Sequence, residues 1–259
     1  HFVQSISGDY EHLSSGDEGE TIWSNYPGFT LYYANPVTGG GSLSLDFPGS
    51  GHLWLAPIIE DPYNPNQAYL AGGGLSGGNH LFHLTAGNSS ISYIEEPYSF
   101  NSTISAMGYS HLDPTHRYVL TYYGSFYHSS DDGNNWQLSS AFDGPDAHYF
   151  YGSTIWESQS TSGTVIIGGS GYSNPPVYIS YNHGESFIPL NEDLPNTLVY
   201  ELTGTPDDAY FFAATEVGPY VYITEEGTWQ DLAGISAPDQ TYWSVEYIPE
   251  LNTARFGTY

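Results

Sequence analysis

Tyr127-His128-Ser129-Ser130-Asp131-Asp132-Gly133-Asn134-Asn135-Trp136 is the stretch whose reading decides the fold. It places Ser129, Asp131, Gly133 and Trp136 in the pattern Ser-x-Asp-x-Gly-x-x-Trp. An Asp side chain accepts hydrogen bonds from the N–H groups of its own turn, and Gly takes the φ > 0 position that such a turn requires. The Trp opens the next strand and lays its ring beneath the turn. The pattern therefore predicts a β-hairpin turn. A second copy, Ser180-Tyr181-Asn182-His183-Gly184-Glu185-Ser186-Phe187, carries Asn182 for the Asp and Phe187 for the Trp. A third, Thr224-Glu225-Glu226-Gly227-Thr228-Trp229, is one residue shorter.

Working outward, short β-type runs recur around Ile22, Tyr69, Tyr118, Val165, Tyr210 and Ala254, at spacings of 44 to 49 residues. A further run precedes each of the last five: Leu53-Trp54-Leu55, Ile104 to Met107, Ser153 to Trp156, Leu198 to Glu201 and Trp243 to Glu246. Another follows most of them, and the Asp-type turns follow the last three of those. Asp61-Pro62, Asp113-Pro114 and Thr205-Pro206-Asp207 mark turns between first and second strands. No stretch shows helical periodicity. Four short strands per repeat of this length is the period of a β-propeller blade.

The expected fold is thus all-β, a β-propeller of four-stranded antiparallel blades forming one domain over 1–259. Its blades lie near 1–50, 51–100, 101–145, 150–192 and 196–235, with a partial one at 241–259. The chain opens in a first strand near Val3 to Ser7 and stops in a second strand at Tyr259. That phase predicts that further strands come from sequence outside this chain, as further domains of the same polypeptide or by self-assembly.

Composition bounds the function. With 29 acidic residues and only Arg117 and Arg255 as cations, the net charge is −27. Such a surface repels nucleic acid and anionic membrane. There is no Cys, which excludes disulfides, zinc–thiolate sites and thiol nucleophiles. No apolar run is long enough to insert in a membrane as a helix. Few charges among many Ser, Thr, Asn, Gly and Tyr resemble secreted or cell-surface bacterial proteins.

The repeats resemble Asp-box, or BNR-type, β-propellers, a superfamily shared by sialidases, sortilin-type receptors, xyloglucan-degrading enzymes and large secreted bacterial proteins. Gly171-Tyr172-Ser173-Asn174-Pro175-Pro176-Val177-Tyr178 through Phe187, Thr215 to Tyr220, Ala237 to Trp243 and Ala254 to Tyr259 look most like the last group. In those relatives the final motif continues into Gly-Arg-Gly-Ile-Trp and a C-terminal sorting region. The resemblance speaks to fold far more than to function, because propellers host unrelated activities.

The chemistry can then be assigned by position. Ser129, Asp131, Gly133, Trp136, Ser180, Asn182, Gly184 and Phe187 are expected to be structural, at turns between third and fourth strands. Asp131-Asp132 is too short of ligands to hold calcium alone, so calcium is compatible with the chain while no cofactor or metal is required. A sialidase grips its substrate carboxylate with several arginines, and two arginines three blades apart do not make that cluster.

A propeller's usual ligand face is built from loops entering first strands and loops between second and third strands. Those loops carry the carboxylates Asp146, Glu216 and Asp239, the catalytic candidates if two of them face a glycosidic bond. They also carry His148, Tyr149, Tyr151, Tyr122, Tyr172 and Tyr242, rings that can stack on sugars or anchor a protein. Four adjacent rings at His148 to Tyr151 cannot all face inward in a strand. The expected function is a non-catalytic extracellular module binding a glycan or a protein. A glycoside hydrolase of neutral polysaccharide is the alternative, and a structural subunit of an extracellular assembly a third reading.

Overall fold

A computed structural model describes residues 12–36, 40–46, 53–73, 76–140, 142–148, 152–234 and 237–258. Among the described residues the chain is all-β, with five four-stranded antiparallel sheets and one of two strands, the arrangement of β-propeller blades. The chain divides into two compact units.

The first unit holds two sheets. β1 (Leu13–Ser14), β2 (Thr21–Tyr26), β3 (Phe29–Ala34) and β4 (Ser42–Asp46) form one; β5 (Ile58–Asp61), β6 (Asn64–Leu70), β7 (Phe82–Ala86) and β8 (Ile91–Glu95) form the other. They pack through Trp23 and Tyr32 against Ile58, Leu70, Phe82 and Leu84. The Trp23 indole N–H donates to Pro65 O at 3.0 Å, so the ring is both buried and satisfied.

The boundary between the units falls within β9 (Ile104–Tyr109), at Ala106. β9 joins β10 (Arg117–Thr121), β11 (Phe126–Ser129) and β12 (Gln137–Leu138). The fourth sheet is β13 (Thr154–Glu157), β14 (Val165–Gly168), β15 (Val177–Ser180) and β16 (Ile188–Pro189). The fifth is β17 (Val199–Gly204), β18 (Tyr210–Thr215), β19 (Gly218–Ile223) and β20 (Thr228–Asp231), followed by the pair β21 (Ser244–Ile248) and β22 (Thr253–Gly257).

The sequence of the middle strands explains why these sheets stack. Val165-Ile166-Ile167 is apolar at every position because a sheet covered on both faces needs no polar side. Side chains alternate across the strand, so Val165 and Ile167 pack with Leu120 and Phe126 of the third sheet. Ile166 points the other way, to Val199 and Phe211 of the fifth. β18 repeats the device: Phe211 and Ala213 face the fourth sheet, Phe212 and Ala214 face Tyr242 and Val245. Each such side chain removed from water contributes about 1.5–3 kcal/mol. Fourth strands have only one partner sheet edge and expose Leu138 and Ile188.

Two expectations need correction. Leu53-Trp54-Leu55 is not a strand: β5 starts at Ile58, and Leu53 and Leu55 are buried from the loop before it. Burial rather than pairing accounts for that apolar run. The third hairpin turn also differs from the first two. Having no Ser and one residue fewer, it is closed by backbone, Gly227 N donating to Ile223 O at 2.8 Å, while the longer Glu226 reaches out to Gln230. Residues 3–7, where the chain was expected to open in a strand, lie outside the described residues.

Candidate functional site

The turns come first, because they set which loops face which way. Ser129 Oγ donates to Asp131 Oδ1 at 2.8 Å and accepts from Gly133 N at 2.9 Å. Asp131 accepts from Asn135 N and from the Asn135 amide at 2.9 and 2.6 Å, and those two bonds, the side-chain one foremost, hold its carboxyl below the usual range. The copy at Ser180 and Asn182 repeats this, with Gly184 N donating to Ser180 Oγ at 2.9 Å and Ser186 N to Asn182 Oδ1 at 3.1 Å. Trp136 lies against Gly133 and Phe187 against Phe126. The Asp131 oxygens are thus spent on their own turn. Among the described residues no three His, Asp or Glu side chains are grouped so as to hold a metal ion.

Related turn chemistry recurs between first and second strands. Ser15 and Asp17 close the turn from β1 to β2, with Gly19 N on Ser15 Oγ at 2.8 Å and Thr21 N on Asp17 Oδ1 at 2.7 Å. Thr205 and Asp207 do the same before β18. The signal for the first of these was Ser15-Gly16-Asp17-Glu18-Gly19, which lacks both the Pro of the turns at Asp61, Asp113 and Thr205 and the aromatic that follows the Ser129 turn.

With both hairpin ends of the blades occupied by such turns, the remaining loops of the second unit gather on the opposite side. Backbone hydrogen bonds stitch them from sheet to sheet. Ala147 N reaches Tyr122 O at 2.9 Å, Ser170 N reaches Asp146 O at 2.8 Å, and Gly171 N reaches Thr197 O at 2.8 Å. Glu216 N then reaches Leu198 O at 3.1 Å and Tyr242 N reaches Thr215 O at 3.0 Å. The row places Tyr122, Asp146, His148, Tyr172 and Glu216 along one continuous surface of loops.

Side chains link across that surface. The Tyr172 hydroxyl bonds the Glu216 carboxylate, which raises the phenol's pKa, and the Tyr172 ring is 61% exposed. Thr241 Oγ1 holds the Glu216 carbonyl at 2.9 Å. The His148 ring meets Tyr200 edge-on at 6.0 Å, and Tyr200 meets Trp243 at 4.5 Å. Burial lowers the His148 pKa, and the nearby Glu216 charge opposes that shift. Tyr123, beside Tyr122, is also strongly exposed.

Tyr242 does not belong to this surface. It is 3% exposed, its ring packs on Phe256 at 5.6 Å, and its hydroxyl donates to Pro238 O at 2.9 Å. The physical reason is its place on the loop entering β21, where it fills the interface that Ala214 and Val245 share. Asp239 is exposed, and no hydrogen bond joins it to Asp146 or Glu216 among the described residues. Tyr149 and Tyr151 lie outside the described residues.

Tyr200, Trp243 and Glu201 were missed, because all three fall on runs read as strands. Glu201 follows a register shift in the β17–β18 ladder and accepts the Val245 N–H at 2.7 Å, tying β17 to β21. Burial, with the Glu246 charge adding to it, pushes its carboxyl up to about 7 against that hydrogen bond. A Glu inside an apolar first strand was the available signal. The folded state therefore holds a proton that the unfolded state, near 4.5, releases. Stability from this group is full below the unfolded value and is lost as pH rises toward about 7. We expect Glu201→Gln to remove that slope. The unfolding free energies of wild type and variant, from urea titrations, should diverge by on the order of 2 kcal/mol between acid and neutral pH. Parallel profiles would show that Glu201 binds its proton equally in the folded and unfolded states.

No protein-family model matches the chain, and no curated protein matches it in sequence. Solved structures do resemble it. A GH74 enzyme of Niastella koreensis superposes with a TM-score of 0.68 at 15% identity, over 92% of this chain and 39% of that one. An ancestral GH74 enzyme gives 0.70 at 16%, over 95% and 34%. YCF48, solved bound to D1 peptide, gives 0.60 at 15%, over 93% and 72%. At these identities the likeness is one of fold, and this chain spans well under half the length of the two GH74 enzymes.

Proposed function

We propose that this chain is a non-catalytic binding module, extracellular in setting, whose loop surface in the second unit takes a carbohydrate. The observation that carries the reading is the row of rings and polar groups on stitched loops: exposed Tyr172 bonded to Glu216, with His148, Tyr200 and Trp243 alongside. Aromatic faces stack on the C–H faces of sugars, and adjoining carboxylates accept sugar hydroxyls. Backbone stitching holds the loops in advance, which lowers the ordering cost of binding. The GH74 fold likeness supports a glycan. The peptide complex of YCF48 shows that a chain of similar fold can take a protein segment, and a protein ligand is the competing outcome.

The test is affinity of the purified chain for a panel of plant and algal polysaccharides, alongside a peptide library. We expect retention on one class of neutral glycan, weakened about tenfold or more by Tyr172→Ala and by Trp243→Ala. Peptide capture with no glycan retention would replace the carbohydrate reading with a protein one.

One observation favours a second reading, glycoside hydrolysis. Glu201 keeps its proton to near neutrality, as a general acid must, and Glu216, on the turn between β18 and β19, bonds through its N–H to Leu198 O at the start of the strand that carries Glu201. Release of reducing sugar by the chain, abolished in Glu201→Gln, would establish it; retention of glycan without turnover would exclude it.

A further inference from the structure

His116 and His183 stack face to face in the second unit, ring centroids 3.7 Å apart and planes 16° from parallel. They come from different sheets. His116 ends the turn between β9 and β10, with its N–H on Asp113 O at 3.0 Å and its carbonyl on Ser110 N at 2.9 Å. His183 sits at φ 57° in the Ser-x-Asn turn between β15 and β16, with its N–H on Gly163 O at 3.0 Å. Neither backbone can drift without losing a turn.

The His183 ring is held at both nitrogens. Tyr118 Oη lies 3.1 Å from Nδ1 and Ser162 Oγ 3.3 Å from Nε2. Tyr118 is buried, and burial raises its pKa, so its hydroxyl keeps a proton to donate. The neutral imidazole that accepts at Nδ1 and donates from Nε2 suits both partners. The Nδ1 of His116 is buried with no hydrogen-bond partner among the described residues.

We propose that the His116–His183 stack is an acid-operated latch: neutral, it closes the seam between the third and fourth sheets at their turn ends, and doubly protonated, it parts and opens that seam. Two imidazolium ions at van der Waals contact repel each other, and proton uptake at His183 Nδ1 turns a donor toward the buried Tyr118 hydroxyl.

The surrounding charges decide where the latch sits. Asp113, on the turn of His116, has its pKa lowered by its bonds to Thr115, and its charge favours a proton on His183. Glu185, on the turn of His183, acts the same way. His128 on β11 opposes protonation of His183, as does burial, and each imidazole opposes the other. Glu157 on β13 bears on Tyr118, and Arg117 is directed to Asp132 at 3.4 Å. One proton is therefore tolerated, balanced by Asp113 and Glu185; the second is not. His183 has its pKa lowered, chiefly by burial, so the folded state binds fewer protons than the unfolded one below about pH 6.5 and stability falls with acid there.

Amide exchange of the whole chain, corrected for the intrinsic effect of pH, reads the latch. Amides of residues 113–118 and 183–187 should open about tenfold more at about pH 5 than at about pH 7, while those of β19 change little. His183→Asn keeps a residue at ease at positive φ and a donor and an acceptor. It should cut the local rise to about twofold or less, as should His116→Gln. An undiminished rise in both variants would overturn the proposal. If neither variant folds, the imidazole resonances of wild type decide alone. Two transitions separated by about one pH unit or more are expected, and two coincident, ordinary titrations would sink the latch.

Discussion

Trp229→Ala is expected to cost about 3–5 kcal/mol from lost burial and packing alone. The ring is 2% exposed on β20 and lies among Leu190, Leu194, Val199, Leu202 and Phe211, the apolar seam between the fourth and fifth sheets. Its indole N–H also donates to Leu190 O at 2.7 Å. Truncation leaves that carbonyl without its donor, which adds about 1–3 kcal/mol if water cannot enter. A domain with about 5–15 kcal/mol of total stability would lose a large fraction of it. Trp229→Phe separates the two contributions, since it keeps most of the burial and removes the donor. Urea unfolding followed by circular dichroism should rank wild type, Phe and Ala in that order. An Ala variant within about 1 kcal/mol of wild type would mean that the seam is not packed as described.

Gly184→Ala should be nearly as damaging although it adds a single carbon. At φ 80° an L side chain strains the backbone, costing about 1–2 kcal/mol. A Cβ there would also lie 2.3 Å from Cε1 of Phe126, a ring that is 0% exposed and wedged by Phe187 at 4.7 Å. Forcing it aside adds about 1–3 kcal/mol. Gly227→Ala is the control: φ is 73° and the nearest atom to its Cβ would be the Tyr222 hydroxyl at 3.9 Å, so only the backbone strain applies. Phe126→Leu in the Gly184→Ala background should recover part of the loss, and the two changes should be non-additive by about 1 kcal/mol or more. Equal costs at Gly184 and Gly227 would refute the clash.

The Ser129 and Ser180 turns were legible because every bond in them lies within about five residues, so residue type and spacing suffice. The same locality exposes what was missed: Ser15-Gly16-Asp17-Glu18-Gly19 carries related chemistry and closes the first hairpin of a four-stranded sheet rather than the last. Strand order followed from the repeat spacing, since hairpin connections leave little freedom in a four-stranded antiparallel unit.

The candidate surface was legible only in part. Tyr172 and Glu216 stand on loops that the repeat phase had already marked, and they prove to be bonded to each other. Tyr242 stands on an equally marked loop and is buried, whereas Tyr200, on a run read as strand, takes its place beside Trp243. Nothing in the order of residues distinguishes these tyrosines. The sequence by itself determined the all-β class, the hairpin turns and the phase of the repeats, because those rest on local hydrogen bonding and strand alternation. Which rings face solvent, which carboxyl keeps its proton and which histidines stack were decided by tertiary structure. Each depends on what the neighbouring sheet, about 45 residues away in sequence, lays against it.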